Sequence, residues 1–79
     1  MPVVVPHFTI SGPVRVSLWL VARGATVLAG DRIIELIAGA VTIDLEAPVA
    51  GRLARQFVDE DDVIGPGTVL GEIEPAEGI

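Results

Sequence analysis

Apolar and polar residues alternate along most of this chain in short runs, and glycine, proline or a cluster of acids closes each run. Alternation with period two marks strands that bury one face. The runs predict strands over Val3–Phe8, Val14–Val21, Ile33–Ala38, Val41–Glu46, Gly51–Val58 and Val69–Glu74, with short pairings around Val27 and Ile64. No window of about twelve residues joins helical periodicity to a good N-cap and freedom from glycine and proline. Short strands at regular spacing with turns between them point to a sandwich or small barrel.

The central hairpin can be read in register. Gly39-Ala40 separates two apolar runs, and glycine at the first central position suits a two-residue type II′ turn. That turn pairs Ala38 with Val41, Ile37 with Thr42, Leu36 with Ile43, Glu35 with Asp44 and Ile34 with Leu45. One face then collects Ile34, Leu36, Ala38, Val41, Ile43 and Leu45, and the other Glu35, Ile37, Thr42, Asp44 and Glu46. A slip of one residue would mix the faces, so turn chemistry and pattern agree. In Val16–Val21, the same alternation puts Trp19 and Val21 on one face and Leu18 and Leu20 on the other, with Trp19 expected in or against the core.

The pattern also repeats. A shift of 37 residues brings Leu20-Val21 onto Phe57-Val58, Gly30 onto Gly67, Ile33 onto Leu70, Glu35 onto Glu72 and Leu36 onto Ile73. Two similar halves, joined through Ala38–Ala50, are expected to bury their apolar faces against each other.

Composition narrows the function. The 79 residues are 51% apolar, enough for a folded core, and valine, isoleucine and threonine make up almost a third of them. A net charge of −6 argues against nucleic acid, whose phosphates need cations. There is no cysteine, so disulfides, thiolate metal sites and a cysteine nucleophile are excluded. The first basic residue is Arg15, unlike a signal peptide, and no apolar run approaches the roughly 20 residues that span a bilayer. No membrane partner is expected, and a cytoplasmic location is. The sequence contains no lysine at all.

The quasi-repeat, the central hairpin and the motif Ala47-Pro48-Val49-Ala50-Gly51 beyond its tip together resemble the biotinyl/lipoyl carrier domain family. Val21-Ala22-Arg23-Gly24-Ala25-Thr26-Val27 is similar to the family's first turn, although an acid usually stands where this chain has Ala25. Gly30-Asp31 resembles the next turn, and Gly65-Pro66-Gly67-Thr68-Val69-Leu70 its second-half equivalent. The resemblance covers about Val3 to Glu74. It implies an all-β fold, a flattened barrel-sandwich hybrid of two four-stranded sheets with pseudo-twofold symmetry. The domain would occupy residues 1–74, with 75–79 a linker or tail. Lipoyl domains usually carry Asp-Lys-Ala at the hairpin tip and biotinyl domains Met-Lys-Met, the lysine holding the cofactor through an amide. The flanking motifs put that triplet at Gly39-Ala40-Val41, so Ala40 stands at the acceptor position and no cofactor is expected.

Little else offers chemistry. His7 has no companion ligands, and nothing in the sequence orients it towards Ser11. Asp59-Glu60-Asp61-Asp62 lacks the ligand spacing of a calcium loop and reads as a solvated turn or an acidic docking patch. The glycines form no phosphate-cradling motif. No catalytic residue, metal site or small-molecule substrate is therefore expected. The expected role is protein binding, self-association or assembly, with Ile37, Ala38, Ala40 and Val41 as the contact and Asp59, Glu60, Asp61 and Asp62 as an electrostatic rim. The resemblance leaves an alternative open: an N-terminal lipoyl-type domain of a 2-oxo acid dehydrogenase acyltransferase or of a biotin-dependent carboxylase complex, kept for docking.

Overall fold

The computed structural model describes residues 1–7 and 12–76. Their strands are β1 (Pro2–Val4), β2 (Val14–Trp19), β3 (Thr26–Val27), β4 (Arg32–Ala38), β5 (Val41–Glu46), β6 (Gly51–Gln56), β7 (Val63–Ile64) and β8 (Val69–Pro75). They build two antiparallel four-stranded sheets, ordered β1-β8-β6-β3 (sheet I) and β5-β4-β2-β7 (sheet II). No helix occurs among the described residues.

The shift of 37 carries β2 onto β6, β3 onto β7 and β4 onto β8, residue for residue. Even the irregularities repeat. The register of β2 on β4 slips between Val16 and Leu18, and that of β6 on β8 between Leu53 and Arg55. Leu20 N–H donates to Ile33 O at 2.9 Å, and Phe57 N–H donates to Leu70 O at 2.8 Å. The outer strands follow a different offset: Pro2, Val3 and Val4 pair with β8 as Asp44, Leu45 and Glu46 pair with β4. The crossover from β1 to β2 is nine residues long and that from β5 to β6 four, and the five extra residues account for the difference.

The halves do not pack as two separate faces, as the repeat alone suggested. β3 leaves its own half to pair with β6, and β7 leaves its half to pair with β2. Each sheet therefore takes two strands from each half, and neither half holds a complete sheet. Between the sheets Ile33, Ile34, Leu36, Leu53, Leu70 and Ile73 lie fully buried. Full burial of such a side chain contributes about 1.5–3 kcal/mol. No polar or charged residue is buried with them among the described residues.

The β4–β5 hairpin has the expected register, from Ala38 opposite Val41 to Ile34 opposite Leu45. Gly39 has φ 62° and Ala40 is not among the positive-φ residues, which is the type II′ arrangement. Four strands end elsewhere than the sequence pattern places them. β1 stops at Val4, not Phe8, because Val5 N–H turns to Thr68 O (2.9 Å) and Pro6 has no N–H to continue the ladder. Phe8 itself lies outside the described residues. β2 and β6 stop at Trp19 and Gln56, two residues early, where the chain bends into the turns that reach β3 and β7. β8 runs past Glu74: Pro75 stands opposite Gly51, and Ala76 N–H donates to Ala50 O at 2.9 Å.

Candidate functional site

The tip of the β4–β5 hairpin is the place the sequence singles out. Gly39 and Ala40 are exposed, and Ile37 and Val41 are 39% and 48% exposed. Ala38 is not available there. It is only 3% exposed because it stands opposite Val14 on the inner face of sheet II, so it leaves the proposed contact set and joins the core. This follows from the same alternation that put it beside Ile34 and Leu36. The end of the long crossover, Gly12-Pro13, lies next to the tip, and with Arg15, Ile37 and Gly39 it lines a depression of about 430 Å³. Arg15 stands across from Ile37 and supplies the one cation of that lining. Among the described residues, the lining of that depression offers apolar groups and a guanidinium.

Behind the tip, the outer face of sheet II carries polar groups that the functional reading of the sequence overlooked. Ser17 Oγ donates to Glu35 at 3.0 Å, and Asp44 lies 3.6 Å from Arg32. One oxygen of Asp44, Oδ1, is covered and has no hydrogen-bond partner. Glu35 and Asp44 face each other across the two strands, as the hairpin register already required. Two carboxylates are too few for a metal centre, and no group of three ligands occurs among the described residues.

The acidic run forms an exposed turn between β6 and β7. Asp59 N–H donates to Asp62 Oδ2 at 2.8 Å, and Asp61 adopts φ 71°. The turn is stitched to β2 by Asp61 N–H to Val16 O (2.8 Å) and Val16 N–H to Asp62 O (2.9 Å). It sits at the β7 edge of sheet II, with β2 between it and β4. One strand, β2, thus separates the acidic turn from β4, and none of the four acids lines the depression at the tip. His7 is exposed, and Ser11 lies outside the described residues. Trp19 is half-buried, packs against the core and donates from Nε1 to Val58 O at 2.9 Å, which is the structural role expected of it.

No helix among the described residues is long and apolar enough to cross a membrane. The biotin/lipoyl family, described as biotin-requiring enzyme, matches residues 3–73, nearly all of the interleaved sandwich. The chain belongs to that family. This biotin/lipoyl domain is 32% identical, over 98% of its length, to the dihydrolipoyllysine-residue acetyltransferase component of the acetoin cleaving system of Cupriavidus necator. It is 33% identical, over 77% of its length, to the dihydrolipoyllysine-residue acetyltransferase component of the pyruvate dehydrogenase complex of Corynebacterium glutamicum. The chain spans 21% of the first relative and 9% of the second. Among solved structures, the lipoyl domain of the 2-oxoglutarate dehydrogenase complex from Azotobacter vinelandii has the same fold. The TM-score is 0.73, with 92% of this chain and 98% of that one covered at 21% identity.

Proposed function

We propose that this biotin/lipoyl domain carries no lipoyl or biotinyl group. In this reading it is a non-catalytic module of a cytoplasmic acyltransferase-type multienzyme complex and serves there by protein binding through its hairpin tip. The absence of any lysine from the sequence carries the reading. Attachment of either group needs an amine that can form an amide, and the tip turn presents the hydrogen of Gly39 and the methyl of Ala40 instead. The residues at the tip do not fit the group that the family implies. Two acetyltransferase components among the relatives support the setting. The side chains around the turn support the binding role, because exposed apolar groups bounded by polar ones favour contact with another protein.

Native mass spectrometry on the chain, captured gently from its own cells, tests both parts. The expected result is the bare sequence mass together with a reproducible second protein, which is lost from Ile37→Asp and Val41→Asp. A mass increment of a lipoyl or biotinyl group overturns the unmodified reading. Association unchanged in both variants overturns the tip contact.

A further inference from the structure

Three of the chain's five cations gather on a face that lies on the other sheet from the hairpin tip. Arg23, Arg52 and Arg55, with Gln56, Phe57 and Glu74, line a depression of about 590 Å³ on sheet I. Local structure explains the gathering. Residues three apart on a regular strand point to opposite sides, and the register slip between Leu53 and Arg55 is what turns both Arg52 and Arg55 outward. Arg23 comes from the β2–β3 turn. That turn is held over β6 by Gly24 N–H to Leu53 O (2.7 Å) and Leu53 N–H to Ala25 O (2.9 Å). Phe57 stands just beyond β6, 53% exposed.

The fold does not require these side chains. Under the shift of 37, Arg52 corresponds to Arg15, Arg55 to Leu18, Phe57 to Leu20 and Arg23 to Glu60. The same backbone on sheet II thus carries a single arginine, two leucines and an acid. Arg52 is partly neutralised by Glu74 at 3.2 Å. Arg23 and Arg55 form no ion pair among the described residues, although Glu72 stands opposite Arg55 in register. A locally basic, aromatic-ended strip therefore remains on a chain of net charge −6.

We propose that this strip binds a short acidic segment of a partner polypeptide, its carboxylates on the arginines and an apolar residue on Phe57. The planar guanidinium fork matches carboxylate geometry. Because the bulge takes up one residue, Arg52 and Arg55 stand opposite Glu74 and Glu72, two residues apart on β8, and are separated by about 7 Å along the strand, the repeat of same-face side chains on an extended peptide. At physiological salt, charges beyond about 8 Å are largely screened, so a short segment meets the strip and not the acids elsewhere. A long polyanion would run on into those acids. This assignment is independent of the hairpin tip and of whether the domain is modified.

The test is a titration of the isotope-labelled chain with a short synthetic peptide alternating glutamate and leucine, followed by amide chemical shifts. Saturable shifts confined to residues around 23 and 52–57 are expected. Arg55→Glu and Arg23→Glu should each weaken binding roughly tenfold. Arg15→Glu, the same charge change at the symmetry mate of Arg52, should leave it within about twofold. All of these arginines are exposed, and retained shift dispersion confirms that the variants fold. The proposal is overturned if no shift saturates or if Arg15→Glu weakens binding as much as Arg55→Glu. It also falls if inorganic phosphate displaces the peptide completely at the same residues, or if a short oligouridylate binds there more tightly than the peptide.

Discussion

Residues 14–38 and 51–75, the repeated parts of the two halves, share strand bounds, register slips and turn hydrogen bonds and differ in the side chains they carry. At one pair of mates, Trp19 Nε1 donates to Val58 O at 2.9 Å while Gln56 Nε2 donates to Val21 O at 3.1 Å. These are the same bond drawn from opposite sides of the pseudo-twofold axis, made once by an indole and once by an amide. The space around them differs accordingly. A Cβ added at Gly71 would meet the backbone carbonyl oxygen of Arg55 at 2.5 Å and the Trp19 ring at 3.1 Å, whereas the mate of Gly71 is Ile34. Symmetry is thus kept in the hydrogen bonds that tie the halves together, and volume is traded between large and small residues around each bond.

This comparison is broken most forcefully at Trp19. Trp19→Ala should cost about 3 kcal/mol, the low end for a large aromatic because the ring is only half-buried, with Val58 O losing its partner as well. Gln56→Ala, which removes a hydrogen bond and little volume, should cost about 1 kcal/mol. Urea unfolding of the two variants measures the gap. Equal losses would mean that the shared hydrogen bond, not the packing of the ring, sets the value of this position.

Much of this architecture was legible in the sequence where one buried face and a defined turn constrained the same residues. The β4–β5 register is the clearest case, since Gly39-Ala40 and the alternation from Ile34 to Leu45 admit one pairing. The repeat was legible for a similar reason, because its turn glycines and apolar pairs recur at fixed spacing. The interleaving of the halves was not. It depends on β3 and β7, which have two residues each and carry no pattern that says which strand they join. The arginine strip was hidden as well, because Arg23 is distant in sequence and Arg52 and Arg55 share a face only through a bulge. At the tip, the alternation that correctly faced Ala38 inward was set aside in favour of its neighbours, and the core reaches closer to the turn than a contact patch suggested.

A subtler difference separates the two equivalent turns. Gly24 adopts φ 91° in the first half and its mate Asp61 adopts φ 71° in the second. Aspartate tolerates the left-handed region better than most residues, yet glycine enters it at no steric cost. Gly24→Ala should therefore destabilise by about 1 kcal/mol. Asp61→Gly should shift stability by no more than about 0.5 kcal/mol, since relieved strain is offset by a more flexible unfolded chain. Paired thermal melts decide it. A large gain from Asp61→Gly would show that the acidic turn holds more strain than its mate's geometry suggests.

The smallest expected change in stability gives the sharpest view of the two sheets. On sheet I, Arg52 pairs across strands with Glu74 at 3.2 Å; on sheet II the corresponding residues are Arg15 and Ile37, again directly opposite. Ile37→Glu copies the sheet I pair onto sheet II. Both sites are solvent-exposed, and ion pairs of this kind contribute about 0–1 kcal/mol, so the variant should unfold within about 0.5 kcal/mol of the parent. If Ile37 were there to stabilise the sheet, the loss would be several times larger. A fold left unmoved, with tip-mediated association lost, would separate the two explanations for an apolar residue at this position: what the sheet needs there is met equally well by glutamate, and what a partner needs is not.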